Sequence, residues 1–434
     1  MQTTIAALAV LAVGYLLNHL LFDRLRLRFG YVGAAEYVLL GMLLGPATGF
    51  LSQEVVRDLT PLVSLALGWV GMTVGTYFRL PAMALLPGAH VRIAFAEAAA
   101  TFGLAAGLLF ALLHYAAGYD LSTAAIPALT LAAIAVIGAP SAVDALALRG
   151  YGSRRLFPVL QLTARIDALV GIVAFGLLLA VFHQGATAPS VRPPTPTEWA
   201  VINVAVGVVS GVLFHLFLGP KGDLAAAAQQ SRLFIALAGA IVIASGASYY
   251  LNLSPIFTTL VLGVILANTA GGERSATRVL RATQRPIYLA LLIFAGAAWR
   301  GSDPSLYFIP PAFVAIRLLA RLTGGLVGGR VAAPRDLRAP ALGRGLLSQG
   351  AIGVAVALNY AQVFPELAAQ TVLGAALVSV LVFEVVAGPE TAALLDPGGT
   401  PPPPPTPDER DPALTPLTGV PAVGRPPGPA EDGS

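Results

Sequence analysis

The residue most suited to chemistry is Asp167, a lone carboxylate mid-way along an apolar run from about Leu156 to His183, within Gln161-Leu-Thr-Ala-Arg-Ile-Asp-Ala-Leu-Val-Gly171. Ionisable groups inside a membrane span are costly, and those that persist mark ion or proton paths. Burial penalises the charged carboxylate and a nearby cationic side chain favours it, so such a group can hold a proton or a small cation by turns. Helical spacing sets Thr163 and Gly171 one turn to either side on the same face, which makes the Thr163 hydroxyl a candidate second ligand. Ser141, Ser348 and any backbone carbonyls freed around Gly138 and Gln349 are further candidate oxygens. Arg317 and Arg321 stand one turn apart on one helix face, so at least one needs an acidic partner. Because arginine is not practically deprotonated, either would act as a fixed counter-charge rather than a proton carrier.

The remaining intramembrane charges read more plainly. Arg165 lies two residues from Asp167, about 200° round the helix, so it faces elsewhere and either pairs with Glu97 or snorkels. Glu384, in the last apolar run, is a secondary proton-site candidate. Glu36 and Asp144 read as caps or funnel charges, and His114 and His215 as structural histidines, since neither has a second ligand at metal spacing. Beyond a transported monovalent cation the sequence calls for no metal, and it calls for no cofactor.

The elements that must position these groups belong to an all-α, polytopic membrane protein. Of the 434 residues, 56% are hydrophobic and only 11% charged, with mean hydropathy +0.77, whereas a soluble domain carries about a quarter charged residues. The lipid bilayer is therefore an expected partner. Absence of cysteine excludes disulfides, thiolate metal sites and cysteine nucleophiles. Thirteen apolar runs approach the ~20 residues a spanning helix needs: 3–22, 31–52, 58–79, 90–117, 122–147, 156–183, 198–219, 231–251, 254–270, 285–300, 306–331, 340–363 and 369–395, of which the ninth and tenth are shortest. No cleavage pattern follows the first run, so it counts as a helix.

Loop charge sets an expected orientation. With the amino terminus outside, eighteen of the 26 basic residues fall in inner loops and only Arg57, Arg192 and Arg300 in outer ones; one span more or fewer in mid-chain would destroy that asymmetry. The formal charge of +4 thus reads as a topology signal, with no nucleic-acid partner expected. The expected location is the inner (plasma) membrane, multi-pass, with a cytoplasmic carboxyl terminus. Beyond Asp396 a Pro-rich, acidic tail cannot build a core, and 396–434 is expected to be a disordered cytoplasmic extension.

Two spans are expected to break. The fifth carries Gly138-Ala-Pro140-Ser141 at mid-depth, and the twelfth carries Ser348-Gln349-Gly350-Ala-Ile-Gly353. Pro removes a backbone donor and Gly permits unwinding, and paired interruptions in corresponding halves point to a transporter site between inverted repeats. Spans four to six and eleven to thirteen would be those repeats. The Gly-rich Thr323–Gly329 stretch lies in a span and reads as close helix packing rather than phosphate binding.

Taken together these residues resemble the monovalent cation/proton antiporter superfamily. Gly33-Ala-Ala-Glu-Tyr-Val-Leu-Leu-Gly-Met-Leu-Leu-Gly-Pro46 is similar to its first signature, and Leu62–Arg79, Ser254–Asn268 and Leu347–Leu358 supply further matches in order. The resemblance implies a sodium/proton antiporter-like fold over 1–395, with core helices at about 90–183 and 306–395, scaffold or dimerisation helices at about 1–80 and 198–300, a homodimer, and an elevator-like movement. It also implies that Asp167 binds cation and proton in turn, that Arg321 is the core's basic residue, and that Gly138–Ser141 and Ser348–Gly353 form the crossing. Three positions depart from the family: Ile166 where Asn or Asp usually precedes the essential Asp, Gly138 and Ala139 where a polar pair precedes Pro140, and Gln349-Gly350-Ala351 where Arg-Gly-Glu is frequent.

The expected function is secondary active, electroneutral exchange of sodium or potassium for protons by alternating access, not enzymatic catalysis. A sodium-coupled symporter of similar architecture, such as the bile-acid symporters, would need a substrate cavity and a sodium site richer in Asn, Gln and Glu. A transport-inactive sensor or scaffold is the third reading, suggested by the polar residues missing before Pro140 and Asp167.

Overall fold

The computed structural model describes residues 35–147, 151, 155–183, 192–218, 226–269, 273–301, 307–334, 341–366 and 368–395. The expected first span at 3–22, the tail at 396–434 and several basic loop residues, among them Arg149, Arg154 and Lys221, lie outside them. The helices are α1 (Ala35–Met42, continued by a π turn to Ala47), α2 (Gln53–Asp58), α3 (Thr60–Gly75), α4 (Leu80–Ala84), α5 (Gly88–Ala111, with a π turn to Ala116), α6 (Leu121–Val136), α7 (Pro140–Ala147) and α8 (Phe157–Val181). They continue with α9 (Pro196–Leu218), α10 (Ala226–Tyr250), α11 (Pro255–Asn268), α12 (Glu273–Ala298), α13 (Ile309–Leu326, with a π turn to Ala332), a 3-10 turn (Leu342–Leu346), α14 (Gly350–Val363) and α15 (Ala369–Leu395). Eight helical stretches among the described residues are long and apolar enough to cross a membrane, and three shorter apolar helices, α1, α11 and α14, accompany them. The chain is a multi-pass membrane protein whose described residues form helices and no strands. The expected ninth span is short, as α11, but the tenth is not: α12 runs for 26 residues because its basic first half, which carries Arg278 and Arg285, continues the helix.

Local sequence fixes where the spans begin. Pro occupies the first turn of α3, α8, α11 and α13, where its missing N–H costs nothing. At α11 the Ser254 hydroxyl caps the Phe257 amide at 3.3 Å. Small residues then let backbones approach: a Cβ on Gly71 would strike the Ile256 carbonyl across the α3–α11 contact.

Both expected breaks are present. α6 stops at Val136, Ile137 is extended (φ −69°, ψ 117°), and α7 restarts on Pro140, which disfavours helix in the residue before it. The second break spans 347–349 and ends on Gly350 at φ +60°, a left-handed conformation that favours glycine. A Cβ on Gly350 would come within 2.9 Å of the Ala139 Cβ, so the two breaks touch. α5, α6/α7 and α8 precede this contact in one half of the chain, and α13, the 3-10 turn with α14, and α15 form it in the other. These helices pack mainly on one another, and α1, α3, α10, α11 and α12 form a second group.

Gly350→Ala is expected to lower stability by roughly 1–2 kcal/mol, the cost of a left-handed non-glycine residue, read as a drop in the thermal midpoint of detergent-solubilised protein. Gly388→Ala, whose Cβ enters open space, serves as the neutral or stabilising control; equal midpoints for the two would refute the strained crossing.

Candidate functional site

Beneath the touching breaks lies a fully buried cluster of charge. Asp167 on α8, Glu97 on α5 and Arg321 on α13 are each 0% exposed. Arg321 Nη1 donates to Asp167 Oδ2 at 2.6 Å and to Glu97 Oε1 at 3.1 Å, and its Nη2 donates to the Val136 carbonyl at the end of α6. The Thr101 hydroxyl donates to Glu97 Oε1 at 2.9 Å. The other oxygen of each acid, Asp167 Oδ1 and Glu97 Oε2, is buried without a protein hydrogen-bond partner. A hard cation or a proton seeks such oxygens.

Close packing sets the reach of Arg321. A Cβ on Gly324 would collide with the Thr101 hydroxyl, and one on Gly328 would sit 3.1 Å from the Glu97 Cβ. Gly324 and Gly328 therefore draw α13 and its π turn against α5, and Gly325 packs on Gly343 of the 3-10 turn, the packing role expected from the sequence. Gly138 lies over the pair, with its ideal Cβ position 3.6 Å from both Asp167 Oδ2 and Arg321 Nη2.

Arg317 serves the breaks themselves. Its Nη1 donates to the Leu347 carbonyl at 2.8 Å and its Nη2 to the Ile137 carbonyl at 3.2 Å, while its guanidinium lies 4.5 Å over the Phe383 ring. The C-terminal end of α6 carries partial negative charge, and both arginines neutralise it. Three carbonyls released at the breaks, those of Val136, Ile137 and Leu347, accept from guanidinium groups.

The other expected residues fall as follows. Thr163 is buried one turn before Asp167 and donates its hydroxyl proton to the Val159 carbonyl at 2.8 Å. Ser141, on the first turn of α7 after Pro140, is exposed, and Ser348 is half-buried. Gln349 is buried, accepts from Ser379 at 2.5 Å and leaves its Nε2 unpartnered. Glu384 is half-buried on α15, one residue beyond Phe383. Arg165 does not pair with Glu97: it reaches Asp144 at 3.2 Å and lies over the Tyr77 ring at 5.1 Å, because the face opposite Asp167 meets α7 and α3. Sequence reasoning missed Glu97 as a member of the Asp167 cluster, although an acid deep in an apolar span, with Thr101 one turn on, was the available signal. No group of three or more metal-ligating side chains occurs among the described residues.

Compared by sequence, the chain matches no protein-family model and no curated protein. Compared by structure, it resembles the sodium proton antiporter MjNhaP1 from Methanocaldococcus jannaschii at pH 8, with a TM-score of 0.65 and 13% identity over 90% of this chain and 100% of that one. A second structure of the same antiporter, from an electron-microscopy map, gives a TM-score of 0.59 and 14% identity over 91% and 98% of the two chains. The chain has the sodium/proton antiporter fold. Within this antiporter fold the charged cluster lies where the two interrupted helices meet.

Breaking a buried ion pair from one side costs roughly 3–5 kcal/mol, whereas an exposed pair is worth about 1 kcal/mol or less. Arg321→Leu is accordingly expected to destabilise the protein several-fold more than Arg344→Leu, which removes the partly exposed pair to Glu390. Denaturant or thermal unfolding in detergent measures both, and comparable losses would show that the buried cluster is not a stability determinant.

Proposed function

We propose that this chain is a secondary active transporter that exchanges a monovalent cation, sodium or potassium, for protons across the cell membrane. The observation that carries the reading is Asp167: a fully buried carboxylate at the contact of two broken helices, held by a guanidinium that keeps its charge. In lipid, irregular backbone is tolerated where it is buried in protein or lines a cavity, and helix breaks at mid-depth are where transporter sites form. Fold likeness to a sodium proton antiporter supports the same reading.

The mechanism follows from competition at one oxygen pair. In the observed arrangement Arg321 satisfies Asp167 Oδ2 and leaves Oδ1 for a ligand. A cation gains two carboxylates at the cluster but must share them with Arg321; a proton neutralises one carboxylate and weakens its hold on both. The site therefore holds one or the other, and exposing it first to one side and then to the other converts competition into exchange. Thr163, Ser141 and Ser348 are the hydroxyl oxygens proposed to assist, and Glu384 remains the proposed secondary proton site. The amino terminus is proposed to lie outside and the carboxyl terminus inside, in a homodimer.

A symporter would need a polar solute cavity near these charges. A cavity of about 390 Å³ lies elsewhere, between the α2–α3 segment and α12, and its lining, including Leu62, Trp69, Ile287 and Phe294, is apolar. That cavity is not lined for a polar solute.

Purified protein in proteoliposomes with an internal pH dye tests the reading, with sodium, potassium and lithium added in turn. Cation-triggered proton movement is expected in the native protein and at least about 100-fold less in Asp167→Asn, since that change removes the carboxylate the ligands compete for. Unchanged movement in the mutant, or silence of folded native protein with every cation, would overturn it. One-for-one competition further predicts that the apparent KM for the cation approaches a tenfold rise per pH unit once the medium is more acidic than the titration of the site, and that an imposed membrane potential drives no net exchange. A limiting KM slope well below tenfold, or net exchange driven by voltage, would exclude single-proton, electroneutral exchange.

A further inference from the structure

Two carboxylates meet at one nitrogen. Arg321 Nη1 donates to Asp167 Oδ2 at 2.6 Å and to Glu97 Oε1 at 3.1 Å, and the two acids interact directly inside a site that is fully buried. Carboxylates that share a site hold a proton between them as one coupled unit, so the chemical question is which of the two keeps it. The surrounding charges do not separate them. α13 sets Arg317 and Arg321 against both acids, and α8 brings Asp167 itself while its Arg165 turns away to Asp144. α6 carries no ionisable side chain from Leu121 to Val136, and Arg330, on the π turn after α13, is exposed.

Hydroxyl groups do separate them. Thr101 stands one turn after Glu97, and its hydroxyl reaches two acceptors, Glu97 Oε1 at 2.9 Å and the Ala320 carbonyl of α13 at 3.2 Å. A hydroxyl has one proton to give and lone pairs to receive another, so Thr101 can serve Glu97 in either form. It donates to the ionised acid. When Oε1 carries a proton, the acid donates to Thr101, and Thr101 turns its own proton to Ala320. Room for the hydroxyl exists because residue 324 is glycine, where a Cβ would strike the Thr101 oxygen. Asp167 has no such neighbour, since Thr163, one turn before it, gives its proton to the Val159 carbonyl at 2.8 Å. Asp167 also takes the shorter of the two bonds from Arg321. Charge-assisted hydrogen bonds are short and strong, so neutralising Asp167 sacrifices more than neutralising Glu97.

We propose that the proton exchanged for a cation is held on Glu97, with Thr101 as its positioning residue, while Asp167 stays ionised and supplies the cation ligand. The proposal rests on the exchanger reading and adds a division of labour to it. The oxygens left for a cation are Asp167 Oδ1 and Glu97 Oε2, both buried and without a protein donor. A cation that uses both needs Glu97 ionised, so its arrival sends the Glu97 proton to water on the side the site then faces, and its departure lets a proton return. Arg321 keeps its charge throughout.

Infrared difference spectroscopy on the full chain in nanodiscs tests this, with sodium, potassium and lithium added in turn and, separately, with cation-free protein acidified. The carbonyl stretch of a protonated carboxyl group is expected to vanish when the cation is added and to grow on acidification. Cell-free synthesis with glutamate carrying a heavy-carbon side-chain carboxyl is expected to shift that band, and the same label in aspartate to leave it in place. Thr101→Val keeps both acids and removes the hydroxyl, so it is expected to move the glutamate band, and Thr101→Ser to restore it, which sets Glu97 apart from Glu384. A band that follows the aspartate label, or a glutamate band that Thr101→Val leaves unmoved, would overturn the proposal. The isotope comparison needs no substitution, so it decides between the two acids even where Thr101→Val does not fold. Acidification needs no cation. A Glu97 band that grows on acidification but that no cation removes would overturn the exchanger reading while leaving Glu97 as the titrating acid; cation-driven proton movement with an aspartate band would overturn the Glu97 assignment alone.

Discussion

Everything at the centre of this protein depends on one guanidinium. Arg321 is taken wholly out of water, a transfer worth several kcal/mol of penalty per ion even after relaxation, and it is tolerated because two carboxylates and a helix-end carbonyl receive its donors. Those three partners come from α5, α8 and α6. A single side chain therefore fixes the relative positions of three helices as well as its own, and the glycines of α13 are what let it come close enough to do so. Under the proposed exchange, the same bonds that hold the bundle together are the ones an incoming ion would share, which would link stability to binding at this point of the structure.

The breaks show how polar backbone is carried into lipid without water or polar side chains. Before Pro140 this chain has Gly138 and Ala139, neither with a polar side chain. Carbonyls released by the unwinding still require donors, and Arg317 and Arg321 supply them from α13. The local lack of polarity in the broken helix is thus met from a neighbouring helix. Ile166, before Asp167, is fully buried in the apolar core, on a part of α8 that faces packing rather than charge. With these positions apolar, hydrogen-bonding capacity at the crossing is concentrated in arginine.

Most of the architecture was legible because it rests on local, one-dimensional signals. Length and apolarity mark spans, and Gly and Pro mark interruptions. Asp167, Arg317 and Arg321 were legible for the same reason: a charge in an apolar run stands out by itself. What could not be read was pairing. Arg165 could plausibly have met Glu97, and only the rotation of α8 against α7 and α5 sends it to Asp144 and gives Glu97 to Arg321. Nor could the sequence say that break carbonyls would be claimed by guanidinium groups, since that depends on the depth of α13 relative to α6 and α14. The length of α12 was underestimated because a hydropathy window stops at its arginines, although the helix does not.

Charge balance joins these observations. Two guanidinium groups and two carboxylates make the buried cluster neutral when both acids are ionised. Under the proposed exchange, either ligand adds one positive charge to that cluster, so the cation-loaded and proton-loaded forms carry the same charge. Two forms of equal charge meet the same electrostatic barrier in crossing the low-dielectric boundary between the helix groups, and neither is favoured by the membrane potential. An ordinary exchanger site with a carboxylate alone would be anionic when empty; here Arg317 and Arg321 shift every form by the same fixed amount and leave the difference between the two loaded forms at zero. Under the same proposal the arginines set the absolute charge of the site while the carboxylates set which ligand it binds, and the two kinds of group reside on different helices.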